Sequence, residues 1–215
     1  MDEREKKGLK KLMFMLFMFH NKANKEGILA MADYTQLYLL GTEEIAKFIA
    51  LAPLCFGRDT AALKRFVKGI IIDAGIYIFM GVNFHKNSGF TALGQRLKWY
   101  AIASHAKLLA SRKQKPRLDA KYVACMMLML VMSGIDTDIA NRALDRFIVF
   151  SDATKVEAEL IRLYARCIRE GRDPEAVMDE INSTLKLELD FAEILQKEVH
   201  IEASFNHHCY GAHRG

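Results

Sequence analysis

The sequence has few of the residues that interrupt helices or crosslink a small fold. Only 3 of its 215 residues are proline and 51% are hydrophobic, so the chain has a core to bury and disorder is not expected. The 4 cysteines lie far apart and form no CxxC pair, which gives no sign of a disulfide framework or a cysteine zinc site. Free cysteines are typical of a reducing compartment, and we expect the protein to be cytoplasmic.

The sequence also lacks the short motifs that identify common enzymes. It contains no glycine-rich phosphate loop, no metalloprotease helix and no Ser/His/Asp order of a serine hydrolase. We therefore expect no cofactor. The sequence favours a non-enzymatic protein and leaves an enzyme as the alternative.

The apolar run at residues 122–132 is too short to cross a bilayer. Residues Tyr122–Met132 carry no charge and no strongly polar group, but a membrane-spanning helix needs roughly 20 such residues. We expect this stretch to be a helix that is covered on all sides, with Asp119 placed to begin it and Gly134 placed to end it. An integral membrane protein is not expected.

Apolar residues recur at spacings of three and four along much of the chain, which indicates α-helices. The first such stripe lies within Glu3–Ala32, where Gly27 is a predicted joint. We predict an all-α, single-domain bundle of seven to nine helices over residues 1–203. Residues 69–82 and 119–133 are predicted to lie at its centre.

Capping residues place several helix boundaries in the second half of the chain. Ser151 or Asp152 is predicted to begin a helix that Gly171 ends. Thr154 and Glu157 match a capping box, which would place the same start two or three residues later.

The most secure predicted boundary is at residues 173–175. Asp173, Pro174 and Glu175 supply an N-cap, a proline at the first helical position and an acid in the first turn. From there an apolar stripe continues through residues 174–202, which predicts a long amphipathic helix of some eight turns. It either packs on the body of the protein, or its far end pairs with a partner helix or with a second copy to form a homodimer.

Charge is unevenly distributed along the chain. Residues 1–117 contain 20 Lys and Arg against 9 Asp and Glu, whereas residues 118–215 contain 11 against 17. The bundle therefore has a basic subregion at 1–117 and an acidic subregion at 118–203. The two subregions either pack together or offer surfaces to partners of opposite sign.

A basic cluster at residues 107–117 follows Trp99 in the chain. It would suit the phosphates of a nucleic acid or an acidic protein surface, and its alternative interpretation is a solvated loop. No nucleic-acid recognition motif accompanies it. The five candidate partner-binding residues are Lys107, Arg112, Lys113, Lys115 and Arg117.

Asp73 is a candidate buried acid, because it lies inside the apolar run GIIIDAGIYIFMGV. A carboxylate there is either functional or structurally paired. If it is functional, a pocket beside Tyr77, Phe79 and Trp99 would bind a small ligand or carry out catalysis.

Histidines are concentrated near the end of the chain. His207, His208, Cys209 and His213 offer ligand types that zinc or copper prefers, but their spacing matches no established site. The other interpretation is that residues 204–215 are a flexible tail. His20 belongs to a helical stripe and is predicted to be structural.

Two segments resemble parts of the cytoplasmic region of the flagellar stator A-subunit (MotA) family. They are FMFHNKANKEGILAMADY, Phe17–Tyr34, and LIRLYARCIREGRDPEAVMDEI, Leu160–Ile181. The four membrane helices that define the family's proton channel are missing, so the resemblance does not imply a channel. It implies a charged helical surface that meets a partner machine.

These observations lead to three functional hypotheses. The first is a cytoplasmic, non-enzymatic interaction or scaffold protein, attached to a membrane-bound or motility complex and working through helix surfaces. The second is a small-ligand-binding or enzymatic helical domain with its pocket near Asp73. The third is nucleic-acid binding through Arg112–Arg117.

Overall fold

The computed structural model describes residues 3–31, 42–69 and 88–185. Within these ranges the protein consists of α-helices joined by turns, which confirms the predicted all-α fold. A short 3-10 turn, Ile28–Met31, follows the first helix. The helices are α1 (Glu3–Glu26), α2 (Thr42–Phe56), α3 (60–69), α4 (Ser88–Ser111), α5 (Ala120–Met132), α6 (Thr137–Val149), α7 (Lys155–Glu170) and α8 (Pro174–Leu185).

Helix α5 lies at the centre of the fold, as predicted. Every residue from Val123 to Leu130 is buried, and α5 packs against α1, α6 and α7. Asp119 is its N-cap and Gly134 follows its end with a positive φ of 62°. Residues 70–82, the other predicted central segment, lie outside the described residues. No helix in the described ranges combines the length and the apolar character that crossing a bilayer requires.

The stripe predicted in the first segment is the buried face of α1. Leu12, Leu16 and Phe17 are all buried, and α1 packs on α7 and α8. The predicted joint at Gly27 is confirmed, because Gly27 has φ 91° and separates α1 from the 3-10 turn. Glycine adopts this conformation without the steric cost that a Cβ brings.

The predicted start of α7 at Ser151 or Asp152 is wrong. The helix begins at Lys155, where the capping box of Thr154 and Glu157 is complete. Ser151 and Asp152 are instead held in an isolated bridge to Leu118, in which the Asp152 amide donates to the Leu118 carbonyl at 2.8 Å. This long-range pairing keeps the two residues extended, so the helix starts at the next available cap.

The boundary between α7 and α8 is confirmed. Gly171 ends α7 in the left-handed conformation, and the Asp173 carboxylate accepts a hydrogen bond from the Ala176 amide at 2.9 Å. The stripe predicted for α8 faces inward, since Val177 and Ile181 are buried. Residues 186–202 of the predicted long helix lie outside the described residues.

Candidate functional site

A groove of about 890 Å³ lies between α6, α7 and α8. Five apolar side chains, all of them buried or half-buried, form its floor. Val156 extends this apolar surface toward the start of α7 and is 38% exposed. The floor consists of Leu144 from α6, Leu160 and Leu163 from α7, and Ile181 and Leu185 from α8.

Charged side chains form the rim of this groove, and several of them bind other side chains. Arg162 of α7 donates to Asp145 of α6 at 2.7 Å and to Glu159 of its own helix at 2.6 Å. Arg169 donates to Asn141 across the same two helices at 2.6 Å. Each exposed pair adds little to the stability of the protein.

Three further rim residues remain available to a partner. Lys155, Arg166 and Glu170 line the groove and form no side-chain hydrogen bond or ion pair with any other residue in the described ranges. Two of the three are cations. The groove therefore offers an apolar floor and a small excess of unpaired positive charge.

His20 holds the turn at the end of α7 against α1. Its Nε2 lies 2.9 Å from the Arg172 carbonyl oxygen, and its ring meets Tyr164 edge to face. Burial lowers the pKa of His20, and this effect is larger than the raising effects of the backbone hydrogen bond and of Asp173. These contacts agree with the predicted structural role.

The predicted basic cluster is divided between local contacts and solvent. Lys115 donates to the carbonyl oxygens of Ala110 and Arg112, at 2.6 and 3.1 Å, and so caps the end of α4. Arg117 binds the Asp152 carboxylate and the Ser151 carbonyl, beside the bridge to Leu118. Lys107, Arg112 and Lys113 are exposed, and so is Arg117 despite its contacts.

Other predicted site residues lie outside the described residues. These are the buried acid Asp73 with Tyr77 and Phe79, and the candidate metal ligands, so both hypotheses stay predictions. Trp99 belongs to α4. Among the described residues, no three His, Cys, Asp or Glu side chains are grouped so that they could hold a metal ion. The candidate metal ligands outside the described ranges are His207, His208, Cys209 and His213.

The groove was not predicted from the sequence, although α7 carries a signal for it. Ile161, Tyr164 and Ile168 form one apolar stripe, which is buried in the core. Val156, Leu160 and Leu163 form a second apolar stripe, at spacings of four and three. Together the two stripes make the apolar surface of α7 wider than one core-facing side requires. This second stripe is the α7 wall of the groove.

Comparisons with protein-family models, with curated proteins and with solved structures found no match. The resemblance to the stator A-subunit family therefore depends on the segments Phe17–Tyr34 and Leu160–Ile181. These segments contact each other, because His20 lies in the first and Arg172 in the second.

Proposed function

We propose that the protein is a cytoplasmic, non-enzymatic interaction module that binds an amphipathic helix of a partner protein in the groove between α6, α7 and α8. The observation that carries this proposal is an apolar floor beneath a rim of paired charges. Grooves of this kind accept the apolar face of a helix. A small-molecule site would need polar groups that converge on the ligand, whereas Arg162 and Asp145 bind each other.

Charge indicates which helix would fit the groove. Lys155 and Arg166 are rim cations that have no ion pair among the described residues, so acidic side chains beside the partner's apolar stripe would find complementary charges. Glu170 would repel an acidic side chain of the partner helix at its own end of the groove. This asymmetry would fix the direction in which the helix lies, because the reverse orientation would place like charges together.

The resemblance to the stator family supports a partner in a membrane-bound or motility complex such as a flagellar motor. The second resembling segment, Leu160–Ile181, supplies the groove residues Leu160, Leu163 and Ile181. The part of the chain that resembles the family's cytoplasmic region is thus also part of the groove wall. This choice of partner depends on the resemblance, whereas the groove itself does not.

Site-specific photo-crosslinking in the native cell tests the proposal. A photo-reactive phenylalanine analogue replaces Val156, which lines the groove, or Val149, which is 71% exposed and does not. We expect a cross-link to one partner protein from position 156 and none from position 149. The cross-linked peptide should be an amphipathic helix with acidic flanks.

Binding of the purified partner to matched variants completes the test. Val156→Glu should weaken binding about tenfold or more, because it places a charge in the apolar groove. The Val156→Glu variant should still fold, since acids are favourable in the first turn of a helix. Val149→Glu should bind like the wild type.

Two outcomes would overturn the partner assignment. Cross-links from position 156 that reach only residues 186–202 of the same molecule would show that the chain fills its own groove. Cross-links to a second copy, together with a dimer by light scattering, would support the homodimer predicted through residues 174–202 in its place.

A further inference from the structure

A second cavity, of about 350 Å³, lies between the C-terminal end of α2 and α6. Arg58, Arg142 and Arg146 line it, together with one carboxylate, Asp59. Three guanidinium groups around one concave space give it an excess of positive charge. We infer that this cavity is an anion site that takes the phosphate group of a small phosphorylated molecule.

Arg146 is fixed in the cavity wall by backbone contacts. Its Nη1 donates to the carbonyl oxygens of Cys55 at 3.1 Å and Leu54 at 3.4 Å. Gly57, with φ +61°, leaves room for the guanidinium, because a Cβ there would lie 2.8 Å from Nη1. A guanidinium that is already in place loses little conformational freedom when an anion binds.

Arg142 and Arg58 keep most of their hydrogen-bonding capacity. Arg142 Nη2 lies 3.7 Å from Asp59 Oδ2, which is beyond hydrogen-bonding distance, and the two side chains are 59% and 43% exposed. The Arg58 side chain forms no hydrogen bond or ion pair with another residue in the described part of the chain. Each guanidinium has five N–H donors in a planar fork that matches the oxygens of a phosphate.

The remaining lining residues favour a phosphate ester over free phosphate. Phe56 and Ile139 contribute apolar surface to the same cavity, which suits a short organic group attached to the phosphate. The volume lies near the lower end of the range for small-molecule sites, about 300 to 1,000 Å³. A small ester such as glycerol 3-phosphate has the size and charge that this cavity would accept.

Calorimetric titration of the full chain tests the inference. The probes are glycerol 3-phosphate and inorganic phosphate, at an ionic strength held constant with sodium chloride. We expect saturable binding of both probes, with the ester bound more tightly. The double variant Arg58→Gln/Arg142→Gln should weaken binding about tenfold or more, because two charge-assisted contacts are lost. Arg65→Gln removes an exposed arginine that lines neither the cavity nor the groove. It is the matched control and should bind like the wild type.

Asp59→Asn keeps the inference testable if the double variant folds poorly. This change removes the negative charge of Asp59 from the cavity wall, where it would repel a bound phosphate, so both probes should bind several-fold more tightly. Misfolding cannot produce that gain.

Three results would overturn the inference: no saturable binding by the wild type, an equal loss in Arg65→Gln, or no gain in Asp59→Asn. Binding to phosphatidylcholine vesicles with and without phosphatidic acid shows whether the ligand is a lipid phosphate or a soluble one. Binding to the phosphatidic acid vesicles alone would overturn the assignment to a small molecule.

Discussion

His20 Nε2 lies 2.9 Å from the carbonyl oxygen of Arg172, and this contact ties α1 to the turn between α7 and α8. His20 is 1% exposed, and its Nδ1 has no hydrogen-bond partner among the described residues. A proton on Nδ1 would therefore add a buried charge that no acceptor meets. Burial therefore favours the neutral imidazole.

The stability of the protein should fall as the pH drops below about 6.5. Burial holds the pKa of His20 below its usual value of 6.5, so the unfolded chain takes up the proton first. The stabilisation is complete above pH 6.5 and is lost toward the lower pKa of the folded state, by at most about 1.4 kcal/mol per pH unit. Asp173 partly offsets this effect and Arg172 adds to it. Urea unfolding at pH 7.5 and 5.5 measures the loss.

Replacing His20 isolates its share of this pH dependence. His20→Gln retains an N–H donor for the Arg172 carbonyl and does not titrate, so its loss of stability between pH 7.5 and 5.5 should be smaller than that of the wild type. His105→Gln should retain the wild-type loss because His20 is still present. Equal losses in His20→Gln and the wild type would show that another group is responsible.

The same substitution at two glycines should have opposite effects. Gly171→Ala should lower the free energy of unfolding by about 1 kcal/mol, because Gly171 has φ +62° and a Cβ is strained there. Gly8→Ala should raise it by about 0.5 to 1 kcal/mol, since Gly8 lies within α1 and a Cβ there meets nothing within 4 Å. Urea unfolding of both variants measures the difference, and the same sign for both would contradict the assigned conformations.

Two members of the basic cluster should differ in their effect on stability. Arg117→Ala should cost about 1 kcal/mol, because it removes the bonds to Asp152 and the Ser151 carbonyl. Lys113→Ala should change stability by less than about 0.5 kcal/mol, since Lys113 is exposed. Thermal unfolding followed by circular dichroism distinguishes them. A stability loss in Lys113→Ala as large as in Arg117→Ala would contradict this division.

The described cysteines should resist alkylation in the folded protein. Cys55, Cys125 and Cys167 are buried, and burial raises the pKa of all three thiols, that of Cys55 to about 12. The thiolate is the reactive form, so labelling by iodoacetamide at pH 8 should be at least about 100-fold slower than in guanidinium chloride. Peptide mass spectrometry reports each site separately. Rapid labelling of any of the three under native conditions would show that its surroundings open.

Local sequence signals predicted the helices and most of their boundaries within the described residues. Asp119, Gly134 and Gly171 were identified from residue type and position alone, because capping involves groups within one helical turn. The start of α7 was predicted wrongly because these signals are local. Ser151 and Asp152 are good caps locally, but their backbone pairs with Leu118, which no short-range pattern reveals.

The two candidate sites could not be predicted in the same way. The groove needs residues of α6, α7 and α8 to face one another, and the arginine cavity joins Arg58 to Arg142 and Arg146, more than 80 positions further along the chain. The basic cluster at 107–117 looked uniform in sequence, yet tertiary contacts turned Arg117 toward Asp152 and left Lys113 in solvent.

By itself, the sequence determined that the described part of the chain is helical, where α5 and α8 begin, and that Tyr122–Met132 must be covered. Helical period and end capping act over a few residues, so residue order suffices to specify them. Only the tertiary structure decided which faces meet and which charges are left unpaired. Those outcomes depend on packing between segments that are distant in the chain, as His20 and Arg172 show across 152 positions.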